Sequence, residues 1–172
     1  ISEKARMNSV TFMSPSKAFN MPGLTASHAL IFNPKLRRKF HAYLESSELD
    51  LGHVFAFLAV EAAYSHGTEW LDQCLAYIQG NIDYVDEFTK QHTPKIKVIR
   101  PQASFLVWLD CREMGLSQDA LNDFFVDKAH LALNNGVAFG EEGEGFMRLN
   151  VASPRSVLEQ AMKQLADAYV KL

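Results

Sequence analysis

The spacing of hydrophobic positions changes character along the chain. Val10-Thr11-Phe12-Met13 and Ala29-Leu30-Ile31-Phe32 are short β-prone apolar runs. Ser14-Pro15-Ser16 ends the first, and Pro22-Gly23 marks a turn between them. From Asn33 onward the spacing becomes helical. Asn33-Pro34 is a start signal, with Asn as cap and Pro in the first turn, and Leu36, Phe40 and Leu44 then form one stripe. Residues 53–65 are apolar on nearly every side, which predicts a buried helix, and Gly67 predicts its stop. From Thr68 to about Gln91, the residues Leu71, Cys74, Leu75, Ile78, Ile82, Val85 and Phe88 predict a long helix. Gly80 lies within it, at a cost of about 1 kcal/mol relative to alanine. Pro94 closes the region.

The last third alternates between periods. Ile96–Ile99, Phe105–Leu109, Leu131–Leu133 and Phe146–Leu149 read as strands, the last two flanking a glycine-rich loop. Ser117 is placed to cap a helix bearing Leu121, Phe124 and Phe125. Ser153-Pro154 opens a final helix whose inward face should carry Val157, Leu158, Met162, Leu165 and Tyr169. The class is α/β, with one composition break near residue 33, where strand-turn chemistry gives way to long helices. The two strands of the first region have no evident sheet neighbours, which would leave exposed edges.

Composition removes several functions. The chain has 172 residues, of which 48% are hydrophobic and 22% charged, and a net charge of -3. That is enough apolar content for a sizeable core, and it carries no basic footprint for nucleic acid. No apolar run reaches membrane-spanning length. Cys74 and Cys111 form no paired motif, so a reduced, cytoplasmic setting is expected. The six histidines lack metal-ligand spacing, and His28 alone is placed to face a site beside the lysine described next. The chain begins Ile1-Ser2-Glu3 without an initiator methionine, as a processed protein or a fragment would.

Ser14-Pro15-Ser16-Lys17 lies at a strand end, where α/β sheets place ligands. Its hydroxyls and backbone N–H groups could hold a phosphate while the lysine amine reaches a carbonyl. Taken alone, the four residues fit a surface lysine in a polar loop better. Arg148 is the second candidate, a permanent charge within the apolar strand after Gly136-Val-Ala-Phe-Gly140-Glu-Glu-Gly143-Glu-Gly145. It needs an anionic partner, and Glu141, Glu142 or Glu144 could serve.

A wider pattern bears on both sites. The segment from Ser14 to Leu24, the Gly-x-x-Phe-Gly loop with Arg148-Leu149-Asn150 and Ser153-Pro154-Arg155, and the segment from Arg100 to Arg112 occur in one order. Together they resemble the carbon–sulfur lyase branch of the class I/II aminotransferases, which is similar to cystathionine β-lyase and uses pyridoxal 5'-phosphate. The resemblance implies that Lys17 is the Schiff-base and catalytic lysine and that Ser14 and Ser16 are phosphate-side contacts. It further implies that Arg148 binds the substrate α-carboxylate, with Asn150 orienting it or touching the substrate. Arg155 is expected to be structural and Trp108 to lie in the core. Thr25 stands where many class members carry a phosphate-binding arginine, a departure typical of this branch. Ser104-Phe105 replaces the branch's Thr-Tyr pair, which takes a phenol from that strand.

The fold so implied is the C-terminal part of a fold-type I pyridoxal-phosphate enzyme. Residues 1–33 would be the tail of the cofactor domain, 34–91 an inter-domain helical region and 92–172 a small α+β domain. The implied activity is β-elimination from cystathionine or another cysteine S-conjugate, giving a thiol, pyruvate and ammonia. Transamination of amino acids, or an effector domain of a transcription regulator, are the alternatives. The partners expected are an amino-acid substrate and, for the intact protein, a second copy in a homodimer. Nothing before Lys17 offers the family's ring-binding aspartate or its stacking aromatic, so the 172-residue chain alone is expected to be inactive.

Overall fold

The computed structural model describes residues 1–49 and 51–172, which fall into two compact units, Ile1–Gln73 and Cys74–Leu172. They are taken in turn.

The first unit opens with α1 (Glu3–Met7), capped by the Ser2 hydroxyl, which accepts from the Ala5 amide at 3.2 Å. The strands β1 (Thr11–Met13) and β2 (His28–Leu30) pair with each other, antiparallel, with Thr11 opposite Leu30 and Met13 opposite His28. The expectation that they lack neighbours is thereby corrected, while the expectation of exposed edges holds, since each strand keeps one edge unpaired among the described residues. The turn-rich segment between them closes the ribbon on itself. Helix α2 (Pro34–Ser46) starts where the Asn–Pro pair predicts. The Asn33 side chain accepts from the amides of Lys35 and Leu36, and its own amide donates to the Met7 carbonyl at 2.9 Å. The stripe of Leu36, Phe40 and Leu44 is half-buried, and Phe40 packs against Phe12 with ring centroids 5.9 Å apart.

Helix α3 (Val54–His66) forms as predicted but is not buried. Only Ala56 is shielded, while Val54, Phe55, Phe57 and Leu58 are each more than half exposed. An all-round apolar pattern reports what a helix can bury, and among the described residues of this unit no second layer surrounds it. Gly67 ends α3, with its amide bonded to the Ala63 carbonyl at 2.9 Å, at an ordinary φ of -87°. Here the glycine provides space rather than an unusual backbone angle. A Cβ at Gly67 would lie 2.6 Å from the Phe19 ring. Helix α4 (Thr68–His92) begins immediately and runs from this unit into the second.

In the second unit, β3 (Lys97–Ile99), β4 (Leu106–Asp110), β5 (Asn134–Asn135) and β6 (Phe146–Asn150) form an antiparallel sheet in the order β3-β4-β6-β5. Strand alternation divides its side chains between two faces. Val107, Leu109, Met147 and Leu149 are buried on one face. They pack with Ile82 and Val85 of α4, with Leu121 of α5 (Gln118–Asp123), and with Phe124 and Phe125 of the π-helical turn that follows. Helix α6 (Arg155–Tyr169) completes this layer with Leu158, Met162, Leu165 and Ala168. Each large apolar side chain buried this way contributes about 1.5–3 kcal/mol.

Three expectations shift here. Leu131–Leu133 is not a strand. His130 sits at φ 55°, and the Leu131 amide turns back to the Phe125 carbonyl at 2.7 Å, so pairing begins only at Asn134. Val157 is 54% exposed, because the buried stripe of α6 runs through Leu158 instead. Trp108 belongs to the face of β4 opposite the core, since alternation puts it between Val107 and Leu109.

One buried polar group ties this unit together. Asn81, fully buried in α4, donates to the carbonyls of Val151 at 2.8 Å and Ser153 at 3.0 Å, and accepts from Arg155 Nε at 2.8 Å. Arg155 also lies over the Tyr84 ring, and its amide donates to the Tyr77 hydroxyl at 2.7 Å. These contacts support its structural reading.

Candidate functional site

Ser14-Pro15-Ser16-Lys17 leaves β1 and enters a single helical turn. The Phe19 amide donates to the Pro15 carbonyl and the Met21 amide to the Ser16 carbonyl, both at 2.9 Å. Asn20, at φ 49°, takes the left-handed conformation that closes such a turn. Asparagine accepts that conformation more readily than most side chains. Phe19 anchors the turn. Its ring meets Tyr64 edge-on at 5.8 Å and stacks with Trp70 at 6.3 Å. His28 meets the same Tyr64 edge-on at 5.9 Å.

The two hydroxyls differ in availability. Ser14 Oγ is 2.7 Å from the Ala26 carbonyl and 3.0 Å from Ser16 Oγ, and it accepts from the Ser16 amide at 3.2 Å. A hydroxyl has one proton, so if Ser14 gives its own to Ala26, the Ser14–Ser16 contact uses the proton of Ser16. Ser14 is thus committed to bracing the loop, whereas Ser16 keeps free lone pairs. Among the described residues, the amides of Lys17 and Ala18 have no acceptor, and the exposed Lys17 side chain has no hydrogen-bond or ion-pair partner.

Arg148 occupies the face of the second unit's sheet that the helices leave open. In the ladder it stands opposite Trp108 on β4 and Asn134 on β5. Its Nη2 donates to Asn134 Oδ1 at 3.0 Å, and its guanidinium carbon lies 4.2 Å from the centre of the Phe139 ring. Trp108 meets Phe139 edge-on at 5.4 Å. Arg148 Nε is buried with no acceptor. None of Glu141, Glu142 and Glu144 pairs with it among the described residues, so the fork keeps its charge and a free donor.

Asn150, two residues along the same face, spends its side-chain oxygen on the Ala152 amide at 2.9 Å. No hydrogen bond joins it to Arg148 among the described residues, and Asn134 holds the guanidinium instead. The loop behind this arrangement is fixed by backbone contact and one amide. A Cβ on Gly136 would collide with the Gly143 carbonyl, and one on Gly143 with the Gly136 carbonyl. Gln118 accepts from the Gly145 amide at 2.6 Å and donates to Asn135 Oδ1 at 2.7 Å.

Lys17, Ser14 and Ser16 therefore belong to the first unit, and Arg148 and Asn150 to the second. Asn134, Phe139 and Gln118 escaped the sequence reading. Phe139 had a signal, as the aromatic of Gly-x-x-Phe-Gly. Asn134 and Gln118 act through cross-strand and long-range contacts that leave no local pattern.

The model of the aminotransferase class I and II family matches residues 1–165. Cystathionine beta-lyase PatB of Bacillus subtilis (strain 168) is 39% identical over 160 residues, covering 93% of this chain and 41% of that protein. Protein MalY of Escherichia coli (strain K12) is 34% identical, covering 97% and 43%. Among solved structures, cystalysin from Treponema denticola, which contains a pyridoxal 5'-phosphate cofactor, superposes with a TM-score of 0.91 at 31% identity, covering 99% of this chain and 43% of that one. The chain thus spans about two-fifths of the length of these relatives.

Proposed function

Because the chain belongs to the class I and II aminotransferase family, we propose that the protein carrying it is a pyridoxal-phosphate enzyme that cleaves the carbon–sulfur bond of cysteine S-conjugates such as cystathionine. The observation that carries the reading is Arg148. Among the described residues, its buried guanidinium nitrogen lacks an acceptor and its charge lacks a carboxylate, as a site awaiting an anion requires.

The residues present fit the cofactor. Lys17 offers an unpaired primary amine on an anchored turn. The amides of Lys17 and Ala18 offer donors for a phosphate, and the Ser16 hydroxyl would join them by turning its proton from Ser14 to the phosphate, in keeping with Thr25 standing where an arginine would otherwise help. Ser14 contributes by holding Ser16 in place. Pyridoxal phosphate, when bound, supplies the sink for electrons left at the substrate Cα.

Arg148 would pair with the substrate carboxylate through its fork and so set which bond at Cα faces the chemistry. Lys17, as free amine, would take the Cα proton as general base. With a thioether on Cβ, loss of that proton leads to cleavage of the Cβ–S bond, the sulfur leaving as a thiolate that takes up a proton, and water then hydrolyses the remaining enamine to pyruvate and ammonia. Without such a leaving group the same residues would support transamination. The likeness to a cystathionine beta-lyase favours elimination. We further propose a homodimer for the full-length protein and a cytoplasmic setting. Among the described residues no helix is long and apolar enough to cross a membrane.

The test uses the full-length protein with pyridoxal phosphate and cystathionine, following pyruvate. Lys17→Ala should lose both turnover and the visible absorbance of lysine-bound cofactor. Arg148→Ala should keep the cofactor and weaken amino-acid binding roughly 10- to 200-fold, the value of about 1.5–3 kcal/mol for a charge-assisted bond. Unchanged substrate affinity in the arginine variant would remove the basis of the reading.

A further inference from the structure

We infer that Phe139 is a positioning residue that aims Arg148 at its ligand without using any of the donors the ligand needs. The inference rests on the reading of Arg148 as the carboxylate clamp and adds to it the device that holds the clamp ready.

A guanidinium has five N–H donors in one plane, and its faces donate nothing. A carboxylate partner would occupy two of those donors and cancel the charge. Phe139 does neither. Its ring lies 4.2 Å from the guanidinium carbon, so it attracts the cation through the ring's electron-rich face and uses none of the in-plane donors. Asn134 takes one Nη2 donor, which fixes rotation about the long side chain. Nε stays buried and unpaired.

Phe139 is itself held. The Trp108 ring, from the neighbouring strand, meets it edge-on at 5.4 Å, so Trp108, Phe139 and Arg148 form a three-member cluster on the open face of the sheet. The loop carrying Phe139 is closed by the mutual approach of Gly136 and Gly143 and pinned by Gln118. Half of the Phe139 surface is exposed, so its place is not explained by core packing.

The experiment compares Phe139→Leu, Phe139→Tyr and Arg148→Ala in the cofactor-loaded full-length protein. Leucine keeps the apolar bulk and removes the π face, whereas tyrosine keeps both. Phe139→Leu should raise the KM for cystathionine roughly three- to thirty-fold, a larger effect than its fall in kcat, and Phe139→Tyr should restore the parent value. A second readout needs no turnover. The Arg148 Nε–H proton resonance should carry an upfield ring-current shift in the parent and the tyrosine variant and lose it in the leucine variant. An unchanged KM in Phe139→Leu beside a raised KM in Arg148→Ala overturns the inference and leaves the clamp standing. Equal losses in leucine and tyrosine, or a resonance that ignores the leucine change, also overturn it. An unchanged KM in Arg148→Ala overturns the clamp and this inference together.

Discussion

Replacing Asn81 with alanine tests the arrangement of the second unit more sharply than any core truncation. The side chain makes three hydrogen bonds in a fully buried position. Two are ordinary amide–carbonyl bonds, each contributing about 1 kcal/mol net, and the third comes from a guanidinium at about 1.5–3 kcal/mol. The truncation also leaves the buried Val151 carbonyl unpaired. A loss of about 4 kcal/mol follows, a large share of the ~5–15 kcal/mol that holds a typical domain together. Asn81→Asp separates polarity from shape. It preserves volume and the acceptor for Arg155 but removes both donors and sets a carboxylate against two carbonyl oxygens, so a loss of at least ~2 kcal/mol is expected. Urea titration followed by tryptophan fluorescence measures both variants, with the m-value as a check that the unfolded state is unchanged. A loss below about 1 kcal/mol for Asn81→Ala, or parental stability for Asn81→Asp, would mean that solvent satisfies these carbonyls at little cost.

Other outcomes follow from the same coordinates. Gly80→Ala should stabilise the chain by up to about 1 kcal/mol in the same titration, because the added methyl meets only Arg155 Nη2, at an ordinary 3.5 Å. Hydrogen bonding to Arg100 holds the Asp83 carboxyl below the usual carboxylate range, and Asp86 is also held low because Lys90 and Arg100 outweigh the opposing effect of its burial. Their contribution is therefore present above the ordinary value of 3.8 and lost as pH falls through the depressed folded values, so the destabilisation caused by Arg100→Met should be visible at pH 6 and shrink below pH 3.8. Burial, with Asp110 adding to it, pushes the Cys111 thiol up to about 12, so alkylation at pH 8 should label half-buried Cys74 and spare Cys111 until the chain unfolds, as peptide mapping would show.

What could be read in advance was what short-range chemistry decides. The caps at Asn33 and Ser117, the long helix after Thr68 and the strands bearing Trp108 and Arg148 sit where residue spacing puts them. The errors came from asking a local pattern which side would be covered. Trp108 alternates correctly with Val107 and Leu109, but only the placement of α4, α5 and α6 decides which face of the sheet becomes core. Helix α3 has apolar residues in every direction and buries only Ala56, so its pattern records capacity rather than contact. At the candidate site, Lys17 and Arg148 were singled out because the resemblance marked both motifs. Phe139 was visible as the aromatic of Gly-x-x-Phe-Gly, but its contact with the arginine depends on the path of a glycine loop, and that of Asn134 on cross-strand register, and neither contact is written in any window around residue 148.

The mutual approach of Gly136 and Gly143 makes the segment between them a loop of set perimeter. Each backbone occupies the volume where the other would carry a side chain, so the loop ends meet with no slack. Such a loop can change the side chains that neither touch Arg148 nor sit at Gly140, whose φ is 131°, but it cannot gain or lose a residue without lifting Phe139 off the arginine. Natural variation and laboratory libraries should both obey that asymmetry. Substitutions at Val137, Ala138 or Glu141 should be accepted often, while a single-residue insertion or deletion between the two glycines should be rejected as firmly as a change to Arg148 itself.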